Sequence, residues 1–138
     1  MFYLCEISPN IDAWLKTHVA LILPMAGAVY RAGGNVLALA NDKETLNLMA
    51  RAFKESLDVL RANHIPVLPP AAMIYAWIPA PLLVILFRRV LRTKSVQVAF
   101  SHGDHARPEM RLLSEQMSSL IRKTSVPTPA LDKLFSVL

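Results

Sequence analysis

The sequence predicts an all-α domain, and three observations support this prediction. The chain has 138 residues, a common length for one domain and enough to bury a core. Its 4 glycines, 10 prolines and short β-branched runs favour helices separated by prolines over sheets. In its clearest segment, apolar residues recur three and four positions apart, which is the spacing of one helix face. The helical domain is expected over residues 10–138, and residues 1–9 are predicted to be a linker or strand of an upstream domain.

Prolines, glycines and capping residues predict where the first helix begins and ends. Ser8 and Pro9 provide an N-cap and a proline at the first helical position. Pro24 is expected to bend or end this helix, since proline removes a backbone donor. Helical composition then continues to Gly33 and Gly34, which are expected to stop it.

The most regular predicted helix follows Asn41 and Asp42, either of which can cap it, with Glu44 completing a capping box with Asn41. It is expected to end near residues 63–64. Its predicted buried stripe consists of Leu46, Met49, Ala50, Phe53, Leu57 and Leu60. Further helices are expected over residues 71–77, 82–92, 108–124 and 129–138, and Thr128-Pro129 is expected to cap the last of them. The predicted buried face of the long helix that Pro108 opens consists of Leu112, Leu113, Met117, Leu120 and Ile121.

Composition limits the possible environments and partners. A single cysteine, Cys5, excludes an intramolecular disulfide and favours a reducing, cytoplasmic location. The net charge of +5 is spread along the chain, so it can attract an anionic ligand but does not indicate a nucleic-acid partner. The N-terminus also lacks the basic region of a signal peptide.

One segment raises the question of a membrane. Residues 65–87 carry no charge, and Arg88 and Arg89 follow at once, as at the flank of a membrane span. Five prolines interrupt the segment, and its longest proline-free piece, residues 71–78, is far shorter than the roughly 20 residues of a span. We therefore predict no transmembrane helix, with a membrane-associated helical protein as an alternative.

Candidate catalytic and binding residues are few. The sequence has no G-x-G-x-x-G and no phosphate-binding P-loop, and Gly33-Gly34 alone cannot cradle a pyrophosphate. Lys16 lies among apolar residues, where an ammonium becomes a better proton donor, although it can equally be a lysine whose head reaches water. Glu109 opens a helix, where the helix dipole favours a carboxylate and a site role stays open.

Two further sets of residues have both a site interpretation and a structural one. His102, Asp104 and His105 resemble metal ligands, but they lack a second ligand cluster. A polar loop that leads into a helix and faces a ligand is the preferred interpretation. The second set, Arg88, Arg89, Arg92 and Lys94, is either a solvated helix end or a phosphate-binding edge.

Three motifs, in this order and at this separation, resemble a known family. They are Ala13-Trp14-Leu15-Lys16, Arg107-Pro108-Glu109, and Val126-Pro127-Thr128-Pro129 followed by Leu131 and Leu134. The pattern, with Glu55 and the turn at residues 63–66 between them, is similar to the C-terminal helical domain of ketopantoate reductases (2-dehydropantoate 2-reductases), enzymes of pantothenate biosynthesis. The resemblance covers the chain from about residue 10 onward. It implies a multi-helical bundle like the C-terminal domain of 6-phosphogluconate dehydrogenase.

The resemblance also implies that the cofactor and the substrate are bound by different domains. An N-terminal Rossmann domain, in cis or in trans, would bind NADP, and none of the cofactor-binding residues would lie in this chain. The helical domain would bind a 2-oxo acid, with Lys16 as the general acid and Glu109 near the reacting centre. Asn35 and Ser101 are expected to contact the substrate, and His102 is a candidate in the same loop. No metal is expected.

Departures from the family pattern point to a divergent, ketopantoate-reductase-like protein. The family has asparagines four and eight residues after the lysine, where this chain has Ala20 and Pro24. It often has an acidic residue two positions after the glutamate, where this chain has Arg111. Because lost hydrogen-bond partners change specificity strongly, a substrate other than ketopantoate is expected. The alternative is a non-catalytic module that forms a homodimer, and the chain is expected to be either a fragment or a short protein without reductase activity.

Overall fold

The computed structural model describes residues 11–68, 70–95 and 107–138, apart from the side chains of Pro70 and Arg107. Within these ranges all regular structure is helical, which confirms the all-α prediction. The helices are α1 (Ile11–Arg31), α2 (Val36–Ala40), α3 (Lys43–Ala62), a 3-10 helix (Pro70–Met73), α4 (Ile74–Trp77), α5 (Ala80–Leu91), α6 (Arg107–Arg122) and α7 (Pro129–Phe135). The segment 1–9, predicted to be a linker or strand, and the predicted cap at Ser8-Pro9 lie outside the described residues.

Helix α1 passes through Pro24 without ending, so the prediction that this proline could end the helix is wrong. Proline removes only one backbone donor, and the Pro24 side chain is buried, so packing offsets the lost bond. The helix ends where the glycines predict. Gly33 and Gly34 have φ angles of 85° and 82°, and the Gly34 N–H donates to the Val29 carbonyl at 2.8 Å.

Helix α3 begins at an aspartate cap. The Asp42 carboxylate accepts hydrogen bonds from the Thr45 N–H at 3.1 Å and the Thr45 hydroxyl at 2.6 Å. Asn41 instead ends the short helix α2, and Glu44 forms an ion pair with Arg31 at 3.5 Å. The capping box predicted between Asn41 and Glu44 is therefore displaced by one residue, because the cap is formed by Asp42 and Thr45.

Helix α3 is the centre of the fold and packs against α1, α5 and α7. All six residues of its predicted stripe are buried, and it ends at Ala62, where the sequence predicts. Its first half joins a hydrophobic cluster with α5 and α7, and its second half joins another with α6.

A lysine of α3 supports the end of the next helix. Lys54 Nζ donates hydrogen bonds to three carbonyl oxygens at the end of α4: those of Tyr75 at 3.4 Å, Ala76 at 3.1 Å, and Ile78. A cation is favoured at a helix C-terminus, where the carbonyl groups lack helical partners. None of the helices in the described ranges is long and apolar enough to cross a membrane.

Helix α6 follows its predicted range, and its predicted inner face packs against the core except at Leu112. Leu112 is 57% exposed, so its predicted burial is wrong, whereas Met117 is buried as predicted. Met110 and Ser114 are also buried. These two residues lie two positions on either side of Leu112, a separation that places them on the opposite side of a helix.

Helix α7 takes its cap from a distant carboxylate. Among the described residues its N-cap, Thr128, makes no side-chain cap bond, although the sequence predicts one. The Glu55 carboxylate of α3 accepts instead from the N–H groups of Ala130 at 2.9 Å and Leu131 at 3.0 Å. A close contact between α1 and α7 at Gly27 completes this side of the core, since a Cβ there would lie 2.9 Å from the Leu134 carbonyl oxygen.

Candidate functional site

Helices α1 and α6 pack together and form the walls of a surface groove of about 320 Å³. The lining residues are Asp12, Leu15, Lys16 and Val19 from α1, and Leu113, Gln116, Met117 and Leu120 from α6. Each set follows the three- and four-residue spacing of a single helix face. The groove is therefore apolar along its walls, with a few polar groups among them.

Lys16 supplies a cation to this groove. Its ammonium group lies 2.8 Å from the Asp12 carboxylate, four residues earlier on the same helix. The Lys16 side chain is 39% exposed and that of Asp12 is 74% exposed. Because solvent screens so exposed a pair, it holds the ammonium only weakly, and an anion that enters the groove can compete with Asp12.

Glu109 lies on the same face of α6 as the groove but beyond its end. It is exposed in the first turn of α6. Leu113 and Gln116 follow it by four and seven residues, so all three share one face of the helix. The groove lining on α6 begins at Leu113, one turn after Glu109. The structure thus brings the α6 face that carries Glu109 alongside Lys16, with the glutamate outside the lining.

The other predicted substrate contacts are not part of this groove as described. The Asn35 side-chain oxygen accepts hydrogen bonds from the N–H groups of Leu37 at 2.8 Å and Ala38 at 3.1 Å, so it caps α2. Ser101 and His102 lie outside the described residues, as do Asp104 and His105. The described ranges contain no group of three or more side chains placed to hold a metal ion.

The residues that depart from the family pattern have structural roles here. Ala20 and Pro24 are buried in the core, whereas the groove residues on α1 lie on another side of that helix. Arg111 donates from Nε to the Leu138 carbonyl oxygen at 2.9 Å, which attaches the last residue to α6. At these three positions the chain therefore has packing or tethering residues.

The sequence did not identify Gln116, whose side chain adds an amide to the groove. The spacing of Asp12, Leu15 and Val19 around Lys16 could have indicated the wall on α1, because those residues are neighbours on one helix. The wall on α6 had no local signal, since it depends on which helices pair. Beside the groove residues on α1, the rings of Trp14 and His18 stack with centroids 5.5 Å apart.

The groove between α1 and α6 has the size of a small-molecule site. A volume of about 320 Å³ is near the lower end of the roughly 300–1,000 Å³ typical of ligand pockets, which suits a small molecule. The three glycines in the described ranges have other roles: Gly27 packs against Leu134, and Gly33 and Gly34 end α1. These residues thus offer no glycine-rich loop to hold the phosphates of NADP.

Comparisons of the chain with models of protein families, with curated proteins and with solved structures found no match. The resemblance to ketopantoate reductases therefore stays a prediction.

Proposed function

We propose that this chain is the substrate-binding and proton-donating domain of an NADP-dependent 2-oxo acid reductase, with the nucleotide held by another domain or chain. The observation that supports the proposal is the Lys16 ammonium group in the groove between α1 and α6. A small 2-oxo acid combines a carboxylate and a carbonyl with an apolar carbon chain. The groove offers the matching groups: a cation, an amide and apolar walls.

Each polar group then has a defined task. The Lys16 ammonium donates a hydrogen bond to the carbonyl oxygen and transfers its proton as that oxygen gains charge. The Gln116 amide binds the substrate carboxylate, and Leu15 and Val19 contact the carbon chain. The hydride comes from the nucleotide outside this chain. Glu109 lies one turn beyond the groove lining on α6, so its proposed role near the reacting centre rests on the family resemblance alone.

Direct binding is the first test. Two-dimensional NMR of the chain, titrated with 2-oxo acids of increasing chain length, should show shifts at the residues that line the groove. Lys16→Ala should weaken binding by roughly tenfold or more, since a hydrogen bond to a charged group contributes about 1.5–3 kcal/mol. Lys133→Ala, which removes an exposed lysine on α7, is the matched control and should bind as the wild type does.

Catalysis is the second test. The chain is combined with an NADP-binding domain, and NADPH oxidation is followed with the 2-oxo acids that bind. Equal turnover by the wild type and Lys16→Ala would remove the proposed acid. Absence of binding together with a stable dimer in light scattering would favour the alternative of a non-catalytic dimerisation module.

A further inference from the structure

Helix α5 is apolar on its outer side as well as on its inner side. Its buried residues are Leu83, Val84, Phe87 and Leu91, and its exposed apolar residues are Leu82, Ile85, Leu86 and Val90. A helix that is hydrophobic all round is normally buried. The outer side of α5 therefore has the composition of a covered surface, although it is exposed in this chain.

Exposed apolar side chains continue on the helix before it. Trp77 is 75% exposed and Ile74 is 52% exposed, and both belong to α4. We define the α4–α5 face as Ile74, Trp77, Leu82, Ile85, Leu86 and Val90. On α5, Leu82, Ile85, Leu86 and Val90 are three or four residues apart and form a continuous apolar row, which indicates an interaction surface.

The charged residues on α5 and just after it are all basic. Arg89 is exposed and follows Leu82 by seven residues and Ile85 by four, so it extends the same face towards the end of α5. Lys94 is exposed just beyond it. Arg88 and Arg92 add two more cations that also donate hydrogen bonds to α2 and its cap. No aspartate or glutamate occurs from residue 59 to residue 103, so all the charges in this stretch of sequence are positive.

We propose that the α4–α5 face binds the surface of an anionic lipid membrane. Such a surface supplies both an apolar layer for the leucines and anionic headgroups for Arg89 and Lys94. Trp77 fits the same location, because tryptophan concentrates at the boundary between lipid and water. The 12 residues of α5 extend about 18 Å, well short of the roughly 30 Å hydrocarbon core, so the helix lies along the surface.

A second copy of this chain is a poorer fit to the same face. In a two-fold dimer the same patch meets itself, so Arg89 and Lys94 would gain no acidic partner from α4 or α5 of the second copy. Phospholipid headgroups provide the missing negative charge. The proposal is also independent of the reductase proposal, because α1 and α6 line the groove whereas α4 and α5 carry this face.

Vesicle binding by the full chain tests the proposal. Flotation is measured with vesicles of phosphatidylcholine alone and with vesicles that also contain phosphatidylserine. The chain should float with the anionic vesicles and should remain in the bottom fraction with the neutral ones. High salt should weaken its binding to the anionic vesicles. In the Trp14→Phe variant, the remaining Trp77 should show blue-shifted fluorescence when anionic vesicles are added.

Matched variants separate this face from the rest of the surface. Leu82→Gln should lower binding about tenfold through lost apolar contact. Leu112→Gln is its control, since the two leucines are 56% and 57% exposed. Arg89→Gln should lower binding about fivefold. Its control is Arg122→Gln, because each arginine lies in the last turn of its helix.

Three outcomes would overturn the proposal. One is absence of binding to the anionic vesicles, and another is an equal loss of binding in the variants and their controls. The third is a dimer in light scattering that Leu82→Gln dissociates while vesicle binding is absent, which would make the face an interface between copies. Circular dichroism checks that each variant keeps the helical fold.

Discussion

The Glu55 carboxylate connects the central helix to the last one, so Glu55→Ala should destabilise the whole domain. One carboxylate oxygen accepts from the Ala130 N–H at 2.9 Å, and the other accepts from the Leu131 N–H at 3.0 Å. Both residues are buried in the first turn of α7, where the helix itself provides no acceptor for these groups. The alanine variant removes both hydrogen bonds in a region with little access to water.

The expected loss of unfolding free energy is about 2 kcal/mol. Removing a helix N-cap costs about 1 kcal/mol and up to about 2, and a hydrogen bond to a charged group contributes about 1.5–3 kcal/mol. One carboxylate accepts both hydrogen bonds, and removing it from water costs free energy that offsets part of their contribution. The two contributions should therefore not simply be added. Out of a total stability of about 5–15 kcal/mol, this loss should lower the melting temperature by roughly 6–10 °C.

Urea and thermal unfolding, followed by circular dichroism at neutral pH, measure this effect. Glu44→Ala is the matched control, because Glu44 is also on α3 but its side chain is 82% exposed and its single ion pair spans 3.5 Å. The control should change stability by less than about 0.5 kcal/mol. Equal losses in the two variants would refute the reasoning that the Glu55 bonds stabilise α7.

The effect of pH on stability tests the burial of the Glu55 carboxyl group. Burial raises the pKa of Glu55, and this outweighs the lowering by the Ala130 and Leu131 N–H groups. The folded state therefore binds this proton more tightly than the unfolded state does. The stability that this shift contributes is fully present below the pKa of Glu55 in the unfolded chain, about 4.3. It is lost as the pH rises through the pKa of Glu55 in the folded chain. The stability of the wild type relative to Glu55→Gln should thus fall as the pH is raised, and a rise would contradict the direction of the shift.

Three further substitutions test the packing and the caps by urea unfolding. Gly27→Ala should destabilise by about 1–3 kcal/mol, because the new Cβ would lie 2.9 Å from the Cβ and the carbonyl oxygen of Leu134. A gain of up to about 1 kcal/mol, normal for glycine to alanine in a helix, would contradict that contact. Lys54→Met should cost about 1–2 kcal/mol, since the ammonium group binds three carbonyl oxygens at the end of α4. Asp42→Ala should cost about 1 kcal/mol. Hydrogen bonds from Thr45 lower the pKa of Asp42, so the stability that its charged form contributes is present above the unfolded pKa and should be lost as the pH falls through the folded pKa.

Local sequence patterns predict the helices better than the contacts between them. The stripe from Leu46 to Leu60 is buried throughout, because the period of one helix suffices to identify its inner face. The same reasoning fails at Leu112, which is exposed. The buried residues are instead Met110 and Ser114, two positions to each side of it. Thr128 and Pro129 predict the start of α7 correctly, but its cap acceptor is Glu55, more than seventy residues earlier. No short motif contains such a pair.

The candidate site divides in the same way. Lys16 and its neighbours on α1 are recognisable from their spacing, whereas the opposite wall with Gln116 exists only because α1 pairs with α6. The resemblance assigns Asn35 to the substrate contacts, a role that its local sequence does not indicate. In the structure its side-chain oxygen accepts two backbone hydrogen bonds and caps α2.

The groove and the α4–α5 face lie on different helices, but α3 supports both. Helices α1, α5 and α6 all pack against α3. If the two surfaces act independently, Lys16→Ala should leave vesicle binding unchanged and Leu82→Gln should leave 2-oxo acid binding unchanged. A change at one surface caused by a variant at the other would instead require a rearrangement of α3, because a coupling needs an element that both sites bias. The buried side chains of α3 belong to two separate clusters, one with α5 and the other with α6, which favours independence. Measuring both activities in both variants therefore distinguishes a failure of either proposal from a failure of the fold.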